Sequence, residues 1–300
     1  MGSGRKPKEL VVISGKGGTG KTSLTASFVA LSRKVVISDC DVDAADLHLV
    51  LSPEIKTRGL FSGGVEADID RDTCVQCGKC REACHFSAIV EHEENGKRYY
   101  TIDKLACEGC GVCKLVCKYD AVKNKPAVNG EWFMSDTRFG PMSHAKLGIA
   151  QENSGRLVSL VRDKAAILAE EANLDSAIMD GAPGTGCPVI SSISGADYAL
   201  AVTEPTVSGA HDLERVLKVI NHFGVKSGVV VNKSDLNQEW THRIKELAEN
   251  YNSEFIGTVP YAREFTEAQM RKLSVVEYAD NPLTENIKDI WRKIKVSIYS

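Results

Sequence analysis

A glycine-rich loop near the N-terminus contains the first residues whose types and spacing could do chemistry. The loop Gly15-Lys16-Gly17-Gly18-Thr19-Gly20-Lys21-Thr22 follows a short apolar run, Glu9 to Ser14, and precedes a helical pattern. In such a loop the backbone N–H groups and the N-terminus of the following helix surround phosphate oxygens. Lys21 can reach the β and γ phosphates, and the Thr22 hydroxyl can ligate Mg²⁺. The loop therefore predicts a site for a nucleoside triphosphate.

Acidic residues at strand ends supply other groups that this site requires. Asp39-Cys40-Asp41 closes a second predicted strand, and Asp180 ends a later apolar strand, where it would hold Mg²⁺ through water. Gly181-Ala182-Pro183-Gly184 then predicts a switch loop, including Gly184, whose backbone N–H groups respond to the γ phosphate. The alternative is that these acids only cap helices.

Eight of the ten cysteines form a second candidate site. They fall into two runs of four, each with two, two and three residues between successive cysteines. Bacterial ferredoxins hold two 4Fe-4S clusters with this spacing, and the fourth cysteine of each run binds the other cluster. The predicted ligands are Cys74, Cys77, Cys80 and Cys117 for the first cluster, and Cys107, Cys110, Cys113 and Cys84 for the second. Zinc is the alternative metal.

Two clusters in one module suggest electron transfer, because one metal would be enough to stabilise a small fold. The alternative is that cluster binding is coupled only to folding of the module.

A third group of residues could recognise the base of the nucleotide. Asn232-Lys233-Ser234-Asp235 follows a predicted strand and has the Asn-Lys-x-Asp pattern with which many GTPases bind guanine. In that pattern the Asp carboxylate, which can only accept hydrogen bonds when ionised, accepts them from N1 and N2 of guanine. Pro260-Tyr261 follows the last predicted strand. From these residues alone, both GTP and ATP remain open.

The elements that would position these residues alternate between strands and helices. The phosphate loop lies between a first strand and a helix at Ser23 to Leu31, and a second strand follows at Val35 to Asp39. After the cysteine segment a helix is predicted at Gly155 to Ala172. The later predicted strands are Ser176 to Asp180, Tyr198 to Thr203, Lys226 to Asn232 and Phe255 to Val259. This alternation predicts the α/β class, with a parallel sheet covered on both faces.

The cysteine segment interrupts this alternation and predicts an inserted domain. We expect residues 1–67 and 126–300 to form a discontinuous P-loop NTPase domain. Residues 68–125 would form a small α+β ferredoxin domain with two 4Fe-4S clusters, and residues 131–155 would connect this module to its host.

Composition and charge restrict the class of protein. The 300 residues are 43% apolar and 26% charged, with a formal net charge of -3, which indicates a globular chain without a general basic field for nucleic acid. No apolar stretch reaches membrane-spanning length, and the start lacks the apolar core of a signal peptide, so we expect a cytoplasmic protein. The apolar stripe from Ile287 to Ile298 is expected to pack on the sheet; the alternative is a helix that lies on a membrane.

Lys16, a second lysine within the phosphate loop, gives the sequence a resemblance to a known family. This form resembles the deviant Walker A loop of the MinD, ParA, Mrp and nitrogenase iron protein superfamily, and the whole chain resembles members with an inserted ferredoxin domain. The resemblance also rests on Asp39-Cys40-Asp41-Val42-Asp43, Trp132-Phe133, Glu152-Asn153-Ser154-Gly155, Asp180-Gly181-Ala182-Pro183-Gly184 and Thr203-Glu204-Pro205-Thr206.

The resemblance implies roles for single residues. Lys16 would reach across a homodimer, with nucleotide at the interface, to the partner's phosphates. Asp41 would orient the attacking water with help from Asp39. Asn232 and the Pro260-Tyr261 loop would flank adenine, which favours ATP over GTP.

The resemblance also implies a function. Our main hypothesis is an ATP-driven switch that couples nucleotide hydrolysis, slow without a partner, to electron transfer or metal-cofactor assembly on a partner protein. The alternatives are a spatial organiser of the MinD or ParA kind with redox-sensing clusters, and a carrier of iron-sulfur clusters. Cys187 has an offset similar to that of a cluster-binding cysteine in the nitrogenase iron protein, although a buried thiol without a metal is the preferred interpretation.

Overall fold

The computed structural model describes residues 6–148 and 154–299, which divide into two compact units. Glu152 and Asn153, which contribute to the family resemblance, lie outside the described residues. The larger unit contains the described residues of 6–59, 131–146 and 154–299. The smaller unit contains residues 60–130 together with residues 147 and 148.

The strands of the described part are bounded as follows: β1 (Lys8–Ser14), β2 (Val36–Asp39), β3 (Glu54–Phe61), β4 (Gly64–Ile69), β5 (Ile89–Glu94), β6 (Lys97–Ile102), β7 (Val122–Ala127), β8 (Gly130–Thr137), β9 (Gly140–Leu147), β10 (Ser176–Pro183), β11 (Tyr198–Thr203), β12 (Lys226–Asn232) and β13 (Glu254–Val259). The helices are α1 (Lys21–Ser32), α2 (Leu47–Leu51), α3 (Lys79–Glu82), α4 (Val112–Val116), α5 (Ser154–Ala172), α6 (Cys187–Ile193), α7 (Val207–His222), α8 (Gln238–Asn250), α9 (Glu264–Met270), α10 (Val275–Tyr278) and α11 (Pro282–Tyr299).

A nine-stranded sheet forms the centre of the larger unit, in the order β13-β12-β11-β1-β10-β2-β9-β8-β3. The neighbouring strands from β13 to β9 are parallel. β11 is buried along its whole length, as are nearly all residues of β1 and β12, because helices cover both faces of a parallel sheet. The predicted α/β class with a mainly parallel sheet is confirmed.

One side of the sheet differs from the sequence prediction. Residues 131–155 were expected to be a connection, but they contain β9 and all of β8 except Gly130, and β3 was not predicted at all. Most residues of β3 are exposed, so its sequence lacks the continuous apolar run that marks a buried strand. A strand at the end of a sheet forms backbone hydrogen bonds with one neighbour and can do so without an apolar pattern of its own.

The last helix packs on the sheet, as expected. Ile287, Ile290 and Ile294 of α11 are buried in the core, and the Trp291 ring stacks on Phe28 with 5.5 Å between ring centroids. The apolar stripe is therefore covered by the protein itself. Among the helices of the described residues, none has the length and apolar composition needed to cross a membrane.

The smaller unit consists of two antiparallel strand pairs and two short helices. β4 pairs with β7 from Gly64 opposite Ala127 to Ile69 opposite Val122, and β5 pairs with β6. This first strand pair extends beyond the expected boundaries of the inserted domain, residues 68 and 125, at both ends.

The cysteine repeat has a counterpart in the backbone. α3 follows Gly78, with φ 76°, and α4 follows Gly111, with φ 78°. This left-handed conformation favours glycine, because a Cβ atom is disfavoured there. Each cysteine run therefore makes the same turn into a short helix.

Arg138, in the turn between β8 and β9, holds several chain segments together. Its guanidinium donates to the carbonyls of Val50 and Leu51 at the end of α2, to the Lys272 carbonyl, and to both carboxylate oxygens of Glu277. Carbonyls at a helix end have no partner within the helix.

We expect Arg138→Ala to lower the free energy of unfolding of the larger unit by about 2 kcal/mol, because it removes charge-assisted hydrogen bonds to these groups. Thermal unfolding followed by circular dichroism measures the effect. Arg138→Lys keeps the charge but loses the planar guanidinium with its several N–H donors. It should therefore restore less than half of the stability that Arg138→Ala loses. An unchanged midpoint for Arg138→Ala would contradict this role.

Candidate functional site

The phosphate loop has the backbone that its glycines permit. Gly18 and Gly20 have φ values of 80° and 87°. A Cβ atom on Gly20 would lie 2.3 Å from Nδ2 of Asn232, which donates a 2.8 Å hydrogen bond to the carbonyl of Thr19. The loop and the end of β12 therefore pack closely because residue 20 has no side chain, and α1 begins directly after it at Lys21.

Lys21 lies in a buried group of charges. Its Nζ atom is 3.0 Å from Asp180 Oδ1 and 3.4 Å from Asp41 Oδ2. The Thr22 hydroxyl donates to Asp180 Oδ2 at 2.7 Å, and the Thr25 hydroxyl donates to Asp180 Oδ1 at 3.0 Å. The structure thus brings together Lys21, Thr22 and the acids that the sequence assigned to one site. A hydroxyl and carboxylates are donors that suit Mg²⁺, so Thr22 and Asp180 fit the expected ion.

The charges in this group shift one another's pKa values. Burial opposes the charged form of Lys21, but the surrounding carboxylates raise its pKa above the ordinary value. Burial raises the pKa of Asp41, and it raises the pKa of Asp39 well above its usual range. Lys21 therefore stays protonated, while the two acids bind protons more readily than in water.

Asp39 and Asp41 occupy different positions. Asp41 faces Lys21, whereas the fully buried carboxylate of Asp39 accepts hydrogen bonds from the backbone N–H groups of Asp41 and Leu47, both at 3.2 Å. Asp39 thus holds the chain that carries Asp41.

Lys16 points away from the group around Lys21. Its Nζ atom lies 3.5 Å from Glu204 Oε2 and donates to the Ser208 hydroxyl at 3.1 Å. Glu204 also binds Lys233. No role was predicted for Glu204; the signal in the sequence is its position directly after the predicted strand Tyr198 to Thr203.

A cleft lies beside the phosphate loop at the ends of β12 and β13. Four of the expected base-binding residues line it together with others: Gly20, Ser23, Asn232, Lys233, Pro260, Tyr261, Ala262, Phe265, Thr266 and Gln269. Asp235, the fifth expected residue, is not in this lining. Its carboxylate accepts a hydrogen bond from the backbone N–H of Tyr261 at 2.6 Å.

Most of the predicted switch loop belongs to a strand. β10 continues through Asp180 to Pro183, and the N–H of Gly184, with φ 93°, donates to the Ser14 carbonyl at 2.8 Å. Cys187 starts α6 and is exposed, so the expected burial of this thiol is wrong.

The eight clustered cysteines line two separate cavities in the smaller unit. One cavity is bordered by Cys74, Cys77, Cys80 and Cys117, and the other by Cys84, Cys107, Cys110 and Cys113. Each set combines three cysteines of one run with the fourth of the other. These are the two sets that the ferredoxin spacing predicts.

The thiols differ in their surroundings. Burial raises the pKa values of Cys80 and Cys113. Burial acts in the same direction on Cys117, but hydrogen bonds from backbone N–H groups, that of Tyr119 first, lower its pKa. Within the described residues, no three Cys, His, Asp or Glu side chains converge as ligands of a single metal ion. The four cysteines of each set instead border a common cavity.

We expect Lys21→Met to destabilise the nucleotide-free protein by about 3 kcal/mol near pH 8, because buried carboxylates lose their cation. The loss should shrink toward pH 5. The pKa values of Asp39 and Asp41 are raised in the folded protein, so protonation favours the folded state and relieves the repulsion.

Thermal unfolding of both proteins across this pH range is the measurement. Lys16→Met is the matched control, since it removes a loop lysine whose partner is not in the buried group. A loss for Lys21→Met that does not change with pH would contradict the charge balance.

Comparison with known proteins places the chain in a family. A family model for the CobQ/CobB/MinD/ParA nucleotide binding domain matches residues 10–275. Uncharacterized protein MJ0578 of Methanocaldococcus jannaschii is 31% identical over 291 residues, which cover 96% of each chain. MinD of Pyrococcus horikoshii in complex with Mg-ADP is similar in structure, with a TM-score of 0.58, 16% identity and 96% of each chain covered. The ATP complex of a Cyanothece McdA variant has a TM-score of 0.54 and 15% identity, covering 98% of this chain and 97% of that one. This chain therefore belongs to the CobQ/CobB/MinD/ParA family of nucleotide-binding domains.

Proposed function

We propose that this protein is an ATP-hydrolysing switch of the MinD/ParA type, in which nucleotide binding closes a homodimer. The observation that carries the proposal is the buried contact of Lys21, at the N-terminus of α1, with Asp180 and Asp41. A cation, carboxylates and a glycine-rich loop at a helix start are the groups that phosphoryl transfer from a triphosphate requires.

Each residue of this group has a role in the proposed reaction. Lys21 binds phosphate oxygens, while Thr22 and Asp180 would hold Mg²⁺, Asp180 through water. The ion would neutralise charge on the β and γ phosphates. Asp41 orients the attacking water, and its position beside Lys21 supports this role. Asp39 acts indirectly, because its carboxylate holds the backbone N–H of Asp41.

Lys16 is the residue that we propose to act across the dimer. Its side chain lies outside the buried group, is about one-third exposed, and contacts Glu204 and Ser208 of its own chain. Glu204 keeps a second cation, Lys233, when Lys16 leaves, so Lys16 can exchange this contact for a phosphate without leaving the carboxylate unpaired. Lys16 is therefore available to a partner subunit's nucleotide.

The two lysines should have separable effects. We expect Lys21→Ala to abolish ATP binding, because the phosphates lose their main side-chain cation. Lys16→Ala should bind ATP within about twofold of wild type, but it should lose ATP-dependent dimers and at least about tenfold in hydrolysis rate. Isothermal calorimetry and analytical ultracentrifugation with MgATP and MgADP measure the two effects. Lys34→Ala, at an exposed lysine outside the loop, is the control.

A wild-type protein that stays monomeric in MgATP would overturn the switch. Loss of ATP binding in Lys16→Ala would show instead that Lys16 acts within its own subunit.

The smaller unit is the second part of the proposal: it binds two 4Fe-4S clusters. The support is that each cavity is bordered by four thiols drawn from both runs. Four cysteines complete the ligand set of such a cluster. The backbone N–H groups directed at Cys117 stabilise its thiolate form, which is the form that binds iron.

The clusters suggest what the switch controls. In one form of the proposal, closure of the dimer gates electron delivery to, or metal-cofactor assembly on, a partner protein. A spatial organiser whose clusters sense redox state is the second candidate, and the family of the chain, with the MinD and McdA structures as fold relatives, favours it. A test of coupling between nucleotide and clusters separates these two functions.

Anaerobic purification should give about eight iron atoms per chain, as two 4Fe-4S clusters require. Cys77→Ser, which removes one ligand of the first cavity, should lose about half of the iron, whereas Cys187→Ser should lose none. Electron paramagnetic resonance of the reduced protein with and without MgATP tests the coupling. A spectrum that changes with MgATP supports gated electron transfer, and an unchanged spectrum supports the organiser. Iron bound equally by wild type and Cys77→Ser would overturn the cluster assignment.

A further inference from the structure

We infer that Asp235 is a positioning residue that holds the Tyr261 loop at the base end of the nucleotide cleft, so that the cleft selects adenine rather than guanine. This inference rests on the proposed nucleotide-dependent function. The Asn-Lys-x-Asp pattern by itself indicates that Asp235 binds guanine, which would require its carboxylate to point at the base. The inference gives Asp235 a different role.

The Asp235 carboxylate has a partner in the protein. Asp235 lies in the 3₁₀ turn Ser234–Leu236 after β12, and its Oδ1 atom accepts the hydrogen bond from the Tyr261 N–H at 2.6 Å. Tyr261 follows Pro260, which has no N–H group, so its own N–H is the first that the loop offers after Val259, the last residue of β13. The contact thus joins the turn after β12 to the loop after β13.

The other two residues of the pattern are also engaged with the protein. The Asn232 amide donates to the Thr19 carbonyl, and its oxygen accepts from the Lys233 N–H at 3.0 Å. Lys233 Nζ donates to the Gly18 carbonyl at 3.2 Å and binds Glu204. These contacts attach the end of β12 to the phosphate loop, while Asp235 attaches the same turn to Tyr261.

The lining of the cleft is chemically suited to adenine. Of the described residues that border it, none carries a carboxylate. Guanine presents N1–H and N2–H donors, which a carboxylate accepts well, whereas adenine presents one amino group and ring acceptors that neutral groups can satisfy. The Tyr261 and Phe265 side chains add aromatic surface beside the base.

The test separates the base end of the site from the phosphate end. Affinities for ATP, GTP, xanthosine triphosphate and inorganic tripolyphosphate are measured by competition against a fluorescent ATP analogue. Wild type, Asp235→Ala, Asp235→Asn and the control Glu239→Ala are compared. Glu239 is an exposed acid nearby on α8 that pairs with Arg243.

We expect Asp235→Ala to weaken ATP binding about fivefold, since one hydrogen bond that positions the loop is lost. Tripolyphosphate binding should not change, because the phosphate loop is not attached through Asp235. Asp235→Asn should keep at least half of the wild-type affinity for ATP, since its amide oxygen can still accept the Tyr261 N–H. Neither variant should gain affinity for xanthosine triphosphate.

Two results would overturn the inference. The first is a preference of Asp235→Asn for xanthosine triphosphate over GTP. This preference is expected if Asp235 contacts the base, because the Asn amide can donate to the carbonyl at C2 of xanthine. An equal loss of ATP and tripolyphosphate binding in Asp235→Ala would indicate a general structural defect. A wild-type protein that binds tripolyphosphate but no nucleotide would instead contradict the proposed function itself.

Discussion

The mutual neutralisation of Lys21 with Asp180 and Asp41 is the interaction on which the candidate nucleotide site depends. A buried ammonium or carboxylate without a partner is costly, so the site can be buried only if these groups stay together. Asp180 also accepts from Thr22 and Thr25, and these contacts tie the first turns of α1 to β10. The charge balance therefore fixes the start of α1 relative to the sheet.

The parallel sheet makes this balance possible. β1, β2 and β10 are neighbours and run in one direction, so the phosphate loop, Asp39-Cys40-Asp41 and Asp180 all reach the same edge. The N–H of Cys40 donates to the Asp180 carbonyl at 2.8 Å, which keeps the two acidic segments in contact. Chain segments far apart in sequence thus come together at one candidate site, and a nucleotide bound at this edge would affect all of them together.

The smaller unit follows a different rule, in which repetition rather than a sheet brings the cysteines together. Two similar turns, each entering a short helix through a left-handed glycine, direct three cysteines of a run at one cavity and the fourth at the other. Because each cavity is bordered by cysteines of both runs, it forms only when both halves of the unit are folded. Metal binding at either cavity would therefore stabilise the whole unit.

The sequence alone determined the features that depend on short stretches of chain. The phosphate loop, the buried strands and the cysteine spacing could be recognised because glycine conformation, continuous apolar runs and ligand spacing are local properties, and β11 and β12 were predicted with their observed bounds. Tertiary structure decided the rest. The edge strand β3 is exposed and paired from one side, so its sequence has no buried pattern. Glu204 meets Lys16, and Asp235 meets Tyr261, only because distant strands end side by side. Such contacts depend on which strands become neighbours in the folded sheet, and no local pattern in the chain records that.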